Sequence, residues 1–276
     1  MTLCVAAACQ DRGKFRIVVA TDWKVSIGSA SAEIEDKLYW IDDNTPVLIA
    51  GTISRAHELI ETYRNHFDRL KARTTPVTIG RNDATRVLKK PPILFKKTLT
   101  EDYISLRFGL DYKSFRASVA DGGIPESVAI DAYSSIGQIT LDCELIVALF
   151  DEYRGPHIYK MNEYGDLEHC ENFAAIGTGG TIAESTLYQR EQQSELPLGP
   201  TVYHVVEAMK LGSIASDVGQ KHTIDVLYPP GEKQDDVYME TLTPRAEKFL
   251  ATQFKRLGPK RFRRLALPKN SFEKDL

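Results

Sequence analysis

Thr2 follows the initiator methionine, and removal of that methionine would expose a residue with both a hydroxyl and a free α-amine. Such an amine has a reference pKa of about 7.7–8.0, so it can take a proton near neutral pH without a histidine. One residue can then supply both nucleophile and base. Ala20-Thr21-Asp22 closes an apolar segment with a carboxylate and leads to Ser26-Ile27-Gly28-Ser29; Lys37 opens the next segment, and Ala50-Gly51-Thr52 ends the one after it. A carboxylate can hold a lysine in place, and a nearby ammonium favours the deprotonated hydroxyl and disfavours the protonated amine. Gly51, with nothing on its Cα to obstruct approach, could bring a backbone N–H beside a developing oxyanion. Each residue also has a plainer reading: an ordinary second residue, a turn aspartate, a solvated strand end and a helix-entry glycine.

Positioning these groups requires strands. Leu3 to Cys9 and Phe15 to Ala20 are apolar runs around the turn Gln10-Asp11-Arg12-Gly13-Lys14, and read as a hairpin. Lys37 to Ile41 and Val47 to Gly51, around Asp42 to Pro46, read as a second. Their continuous apolar character suits sheets covered on both faces. A helix capped by Thr52 or Ser54 then carries Ala56, Leu59, Ile60, Tyr63 and Phe67 at helical spacing to about Lys71. Residues 72–97, with Gly80 and Pro91-Pro92, lack sustained periodicity and read as a long loop, followed by a helix starting at Thr100 with an apolar face of Tyr103, Ile104, Phe108, Tyr112 and Phe115.

Glu144 to Phe150 and His157 to Met161 form a third strand pair, and Phe173 to Ile176 another short strand. Gly177-Thr178-Gly179-Gly180 leads into helices over about 181–192 and 202–215, then a strand at 223–228. Thr243-Pro244 opens a terminal helix. Runs of strands and helix pairs in this order predict an α+β fold, a four-layer αββα sandwich of two antiparallel sheets flanked by helices.

Composition is that of a globular chain: 276 residues, 42% hydrophobic and 26% charged. These values exclude disorder and collagen-like repeats, and no apolar run approaches the roughly 20 residues of a membrane helix. The four cysteines show no metal-finger spacing, the six histidines are scattered, and the N-terminus lacks a signal-peptide pattern, so a cytoplasmic protein without metal or cofactor is expected. The net charge of −3 conceals an asymmetry: from Pro244 onward ten Lys/Arg face three Asp/Glu, leaving 25 basic and 35 acidic residues before it.

The motifs together resemble the proteasome β-subunit family of N-terminal nucleophile (Ntn) hydrolases, including its bacterial proteasome-like and Anbu-type members. The resemblance rests on Thr2-Leu3-Cys4-Val5-Ala6, Ala20-Thr21-Asp22, Ser26-Ile27-Gly28-Ser29, Lys37-Leu38 and Leu48-Ile49-Ala50-Gly51. Asp151 to Pro156, Glu163 to Asp166 and Ala175 to Gly180 add to it, so that it covers about residues 2–71 and 143–228. It implies Thr2 as nucleophile, Asp22 and Lys37 as its activating pair, Gly51 as oxyanion donor, Thr178 in place of a serine that handles the amine's proton, and Asp217 as a supporting carboxylate.

The resemblance further implies a threonine peptidase acting on peptides or unfolded protein within a homo-oligomeric ring or spiral, without membrane association and compatible with an ATPase partner. Subunits lacking a propeptide before Thr2 would mature by methionine removal alone. An Ntn-hydrolase domain is expected over 1–231, with an enlarged helical or loop insertion at about 72–142 and a basic helical extension over 232–276. Three departures support other readings: an Asp22-to-Lys37 interval one residue short, Thr178 for serine, and Val218-Gly219-Gln220-Lys221 where a Ser-Gly pattern is usual. A structural member with a decayed site, or an amidohydrolase of a small-molecule amide, would fit them. Nucleic acid is a weaker partner for the tail, whose basic pairs surround a single aromatic, Phe262. An acidic surface of a neighbouring subunit suits it better. Raising salt to about 1 M, which shortens screening to about 3 Å, is expected to dissociate the oligomer, as is truncation at Pro244; unchanged light scattering in both cases would remove this role.

Overall fold

A computed structural model describes residues 2–27, 30–33, 37–71, 81–214, 218–219, 221–232 and 238–259. The chain begins with β1 (Cys4–Asp11) and β2 (Lys14–Asp22), followed by a small hairpin of β3 (Lys24–Ile27) and β4 (Ala30–Glu33), then β5 (Leu38–Asp42) and β6 (Thr45–Gly51). Four helices follow: α1 (Ile53–Lys71), α2 (Arg81–Phe108), α3 (Tyr112–Ala120) and α4 (Glu126–Gly137). Next come β7 (Cys143–Phe150), β8 (Pro156–Met161), β9 (Leu167–Cys170) and β10 (Phe173–Ile176). The order ends with α5 (Gly180–Gln189), α6 (Leu198–Gly212), β11 (His222–Leu227), β12 (Met239–Thr241) and α7 (Pro244–Leu257).

The strands build two five-stranded antiparallel sheets, ordered β10-β1-β2-β11-β12 and β5-β6-β7-β8-β9. Cys4, Ala6, Ala8, Ile17 and Val19 of the first face Leu48, Ala50, Ile146, Ala148 and Ile158 of the second across a dry core. On the first sheet's other face Leu3 lies beneath Gly179 and Gly212, at the ends of α5 and α6. Cys4 to Cys9 of β1 are therefore all buried, because both faces of its sheet are covered. The second sheet buries Val47, Ile49, Leu145 and Val147 against Ala56, Leu59, Ile60 and Tyr63 of α1 and Val87, Leu88 and Leu99 of α2. This is the four-layer α+β sandwich expected from the sequence. The short strands β3, β4, β9 and β12 and the helix α4 have no counterpart in the sequence reading.

The reading of 72–97 as a loop is corrected for the described part. Residues 81–108 are one helix, and Thr100 sits inside it, its hydroxyl donating to the carbonyl of Lys96 at 2.9 Å rather than capping a new helix. Ala84, Leu88, Pro91, Phe95 and Leu99 form a buried stripe at three- and four-residue steps, a period that the two prolines obscured. Pro92 has no N–H to give the carbonyl of Leu88 four residues before it, which would normally break a helix. The buried hydroxyl of Tyr63 on α1 donates to that carbonyl at 2.9 Å. Tertiary packing thus supplies the bond that the local sequence cannot make. The helix expected to continue through Tyr112 and Phe115 instead breaks at Gly109, whose φ is +68°, and restarts as α3 with Asp111 accepting the N–H of Ser114 at 2.7 Å.

The described residues from Thr243 to Pro259 belong to a compact unit distinct from that of 1–242. In it Thr243 caps α7 by accepting the N–H of Ala246 at 3.3 Å, with Pro244 in the first turn. Beyond Gly231, β12 still pairs with β11. Among the described residues no helix is long and apolar enough to cross a membrane. Replacing Tyr63 by Phe would leave the Leu88 carbonyl buried without its donor; a loss of about 1–3 kcal/mol in urea unfolding is expected, and a change below about 0.5 kcal/mol would show that another group pairs it.

Candidate active site

The end of β2 delivers Asp22 to a fully buried position, and the residue preceding β5 delivers Lys37 beside it, only 2% exposed. The Lys37 ammonium donates to Asp22 Oδ1 at 2.7 Å and to the carbonyl of Lys24 at 2.6 Å. The same carboxylate accepts the backbone N–H of Leu3 at 2.9 Å, of Gly219 at 3.0 Å and of Lys24 at 3.3 Å. An isolated buried charge costs several kcal/mol, so both ions need this full set of partners. The short Asp22-to-Lys37 interval does not prevent the pair from forming. Through the Leu3 N–H, and through the Asp22 N–H donating back to the Leu3 carbonyl at 3.1 Å, the carboxylate also clamps the residue next to Thr2.

Gly219 occupies the segment where the sequence lacks a Ser-Gly pattern. A Cβ there would lie 2.9 Å from both Asp22 Oδ2 and Lys24 Cβ, so only glycine lets its N–H reach the carboxylate. The neighbouring Lys221 carbonyl accepts the Trp23 N–H at 3.1 Å, and its ammonium lies 3.4 Å from the centre of the Trp23 ring. This stacking straps the segment onto the end of β2.

Thr2 itself is buried but opens onto a cleft of about 210 Å³, lined also by Gly51, Asp142, Cys143, Glu144, Glu163, Gly177 and Thr178. Two glycines make the close approaches. Gly51 has φ +95°, and a Cβ on it would stand 2.6 Å from the carbonyl oxygen of Asp142; Gly177 has φ +84°, and a Cβ on it would stand 2.1 Å from the carbonyl oxygen of Thr2. Glu144 Oε2 accepts the Gly177 N–H at 2.8 Å and so fixes the turn that carries Thr178.

Of the residues singled out in the sequence, Thr2, Gly51 and Thr178 share the cleft, and Asp22 and Lys37 form the buried pair behind Leu3. Asp217, Gly28 and Ser29 lie outside the described residues. Asp142, Cys143, Glu144, Glu163 and Gly177 escaped the sequence reading as site residues. A carboxylate opening an otherwise apolar strand, Glu144 before Leu145-Ile146-Val147, was the available signal. The Cys143 thiol is pushed up to about 12 by burial and by the charges of Asp142 and Glu144 against the opposing Arg55, so it stays neutral and is no rival nucleophile in this cleft.

The sequence model of the family described as Proteasome subunit matches residues 130–228, from within α4 through β11. The two antiparallel five-stranded sheets with their flanking helices are consistent with that family's Ntn fold. No curated protein matches the chain. Lys37→Met would leave the Asp22 carboxylate buried without its cation, and a destabilisation of about 3–5 kcal/mol is expected by urea unfolding. Combining it with Asp22→Asn should cost less than the sum of the single changes; strict additivity would mean that the pair is not coupled.

Proposed function

We propose that this chain, whose residues 130–228 match the proteasome subunit family, is a threonine peptidase that cleaves peptide bonds with Thr2 after removal of Met1. The observation that carries the reading is the double role of Asp22, which holds the Lys37 ammonium and the Leu3 N–H on one buried carboxylate. A cation and the backbone next to the nucleophile are thereby fixed to the same anchor.

In the proposed reaction the Thr2 Oγ attacks the scissile carbonyl while its hydroxyl proton passes to the α-amine. The tetrahedral intermediate collapses as the C–N bond breaks; the α-ammonium returns the proton to the leaving amine, and an acyl ester remains on Thr2. Water then attacks the ester with the amine again acting as base, releasing the acid and restoring the hydroxyl. The positive charge of Lys37 favours both the developing alkoxide and the neutral amine. Gly51 serves as the oxyanion donor, and Thr178, carried on the Gly177 turn, assists the amine's proton. Asp217 is the supporting carboxylate in this scheme. The reading extends to peptides or unfolded polypeptide as substrate and to a homo-oligomeric cytoplasmic assembly.

The experiment is intact mass spectrometry of the purified protein before and after a β-lactone or epoxyketone probe. Loss of Met1 and one adduct on Thr2 are expected, with Thr2→Ala lowering peptide hydrolysis by about 10³-fold or more. Retained Met1, or an intact fold with Thr2 unlabelled, would overturn the mechanism.

A further inference from the structure

Asp142 stands at the boundary of the Thr2 cleft. That residue also lines a second cavity of about 620 Å³, bounded by Arg55 in the first turn of α1, by Leu99, Tyr103 and Leu106 on α2, and by the segment from Gln138 that joins α4 to β7. A space of this size accommodates several side chains. Its lining combines a buried and an exposed apolar side chain. Leu99 is buried in the floor, whereas Leu106 is 89% exposed, leaving a large apolar side chain in water. The Tyr103 hydroxyl accepts a hydrogen bond from Arg107 at 2.7 Å, and polar residues, among them Asp102 and Thr140, surround the patch. Apolar anchors inside a polar rim are the make-up of a polypeptide-binding surface.

Asp142, where the two spaces meet, is a fixed corner. It holds φ +55°, its carbonyl accepts the Thr52 N–H at 2.8 Å, and its carboxylate accepts the Thr140 hydroxyl at 2.5 Å. Gly51 on the cleft side packs so closely on that carbonyl that no side chain fits there. The groove is therefore held in constant register with the cleft.

We infer that the α2 groove is an extended substrate subsite, receiving the residues of a polypeptide that flank the bond held at Thr2 and seating an apolar side chain against Leu99, Tyr103 and Leu106. This rests on the peptidase reading of the cleft and deepens it: the substrate is a chain long enough to cover both spaces. The shared wall at Asp142, which sets the groove directly beside the cleft, is what selects this occupant over a second copy of the protein, which would cover Leu106 without involving Thr2.

The test uses the full-length protein and three fluorogenic substrates: a short acyl-aminoacyl amide, the same unit extended by about six residues with a leucine toward its N-terminus, and the same unit extended toward its C-terminus. At least one extended substrate is expected to show about tenfold higher kcat/KM than the short one. Ser105→Trp, which fills the groove, and Leu106→Asp, which makes it polar, should reduce that advantage below about twofold, with short-substrate turnover and oligomeric size unchanged. Equal kcat/KM at all lengths, or an advantage that survives both variants, would overturn the subsite while leaving the peptidase reading intact. A change in oligomeric size that lowers short and long turnover alike would overturn it in favour of a subunit contact. Absence of turnover with every substrate, together with an unlabelled Thr2, would remove the peptidase reading and this inference with it.

Discussion

A carboxylate and an ammonium with almost no access to water, Asp22 and Lys37, dictate much of the arrangement around them. Charges so placed are tolerable only when every lone pair and proton finds a partner. Asp22 meets that demand with three backbone N–H groups drawn from separate stretches of chain, Leu3 just before β1, Lys24 just after β2, and Gly219 before β11. The electrostatic requirement of one side chain thus ties together the N-terminal strand, the hairpin that follows β2 and the segment leading into the last long strand. Thr2 is held in place as a consequence.

The sandwich supplies the rest by bringing backbones close together. Gly51 and Gly177, both at positive φ, stand where a single extra carbon would strike the carbonyls of Asp142 and Thr2. The first contact fastens the end of β6 to the residue before β7, and the second fastens the residue after β10 to the chain's first residues. Glu144, on the neighbouring strand β7, then holds the Gly177 turn through its N–H. The cleft is consequently lined by the two glycines, by Thr2 and Thr178, and by the acidic residues Asp142, Glu144 and Glu163.

How much of this was legible can be argued from particular segments. The strands β1, β2, β5, β6, β7 and β8 stood out because continuous apolar runs bounded by turn residues have few alternatives when both faces are buried. The helix α2 did not, because Pro91-Pro92 is the strongest local sign against a helix; the compensating donor, Tyr63, lies on another helix and 25 residues earlier in relation to the carbonyl it serves. The strands β9 and β12, of four and three residues, are too short for alternation to be read, and only their pairing partners define them.

For the site, the sequence by itself determined the reactive types and their order: Thr2 beside a small apolar strand, Asp22 at the end of one strand, Lys37 at the start of another, and Gly51 and Thr178 where strands give way to helices. These are local properties, set by hydrophobic runs and by where such runs must stop. Only the tertiary structure decided that Gly219 donates to Asp22, that Glu144 fastens Gly177, and that Asp142 is the corner shared by a cleft and a groove. Such contacts join residues from 33 to 197 positions apart, and no local pattern encodes them, because a hydrogen bond between distant segments depends on the packing of the layers that carry them.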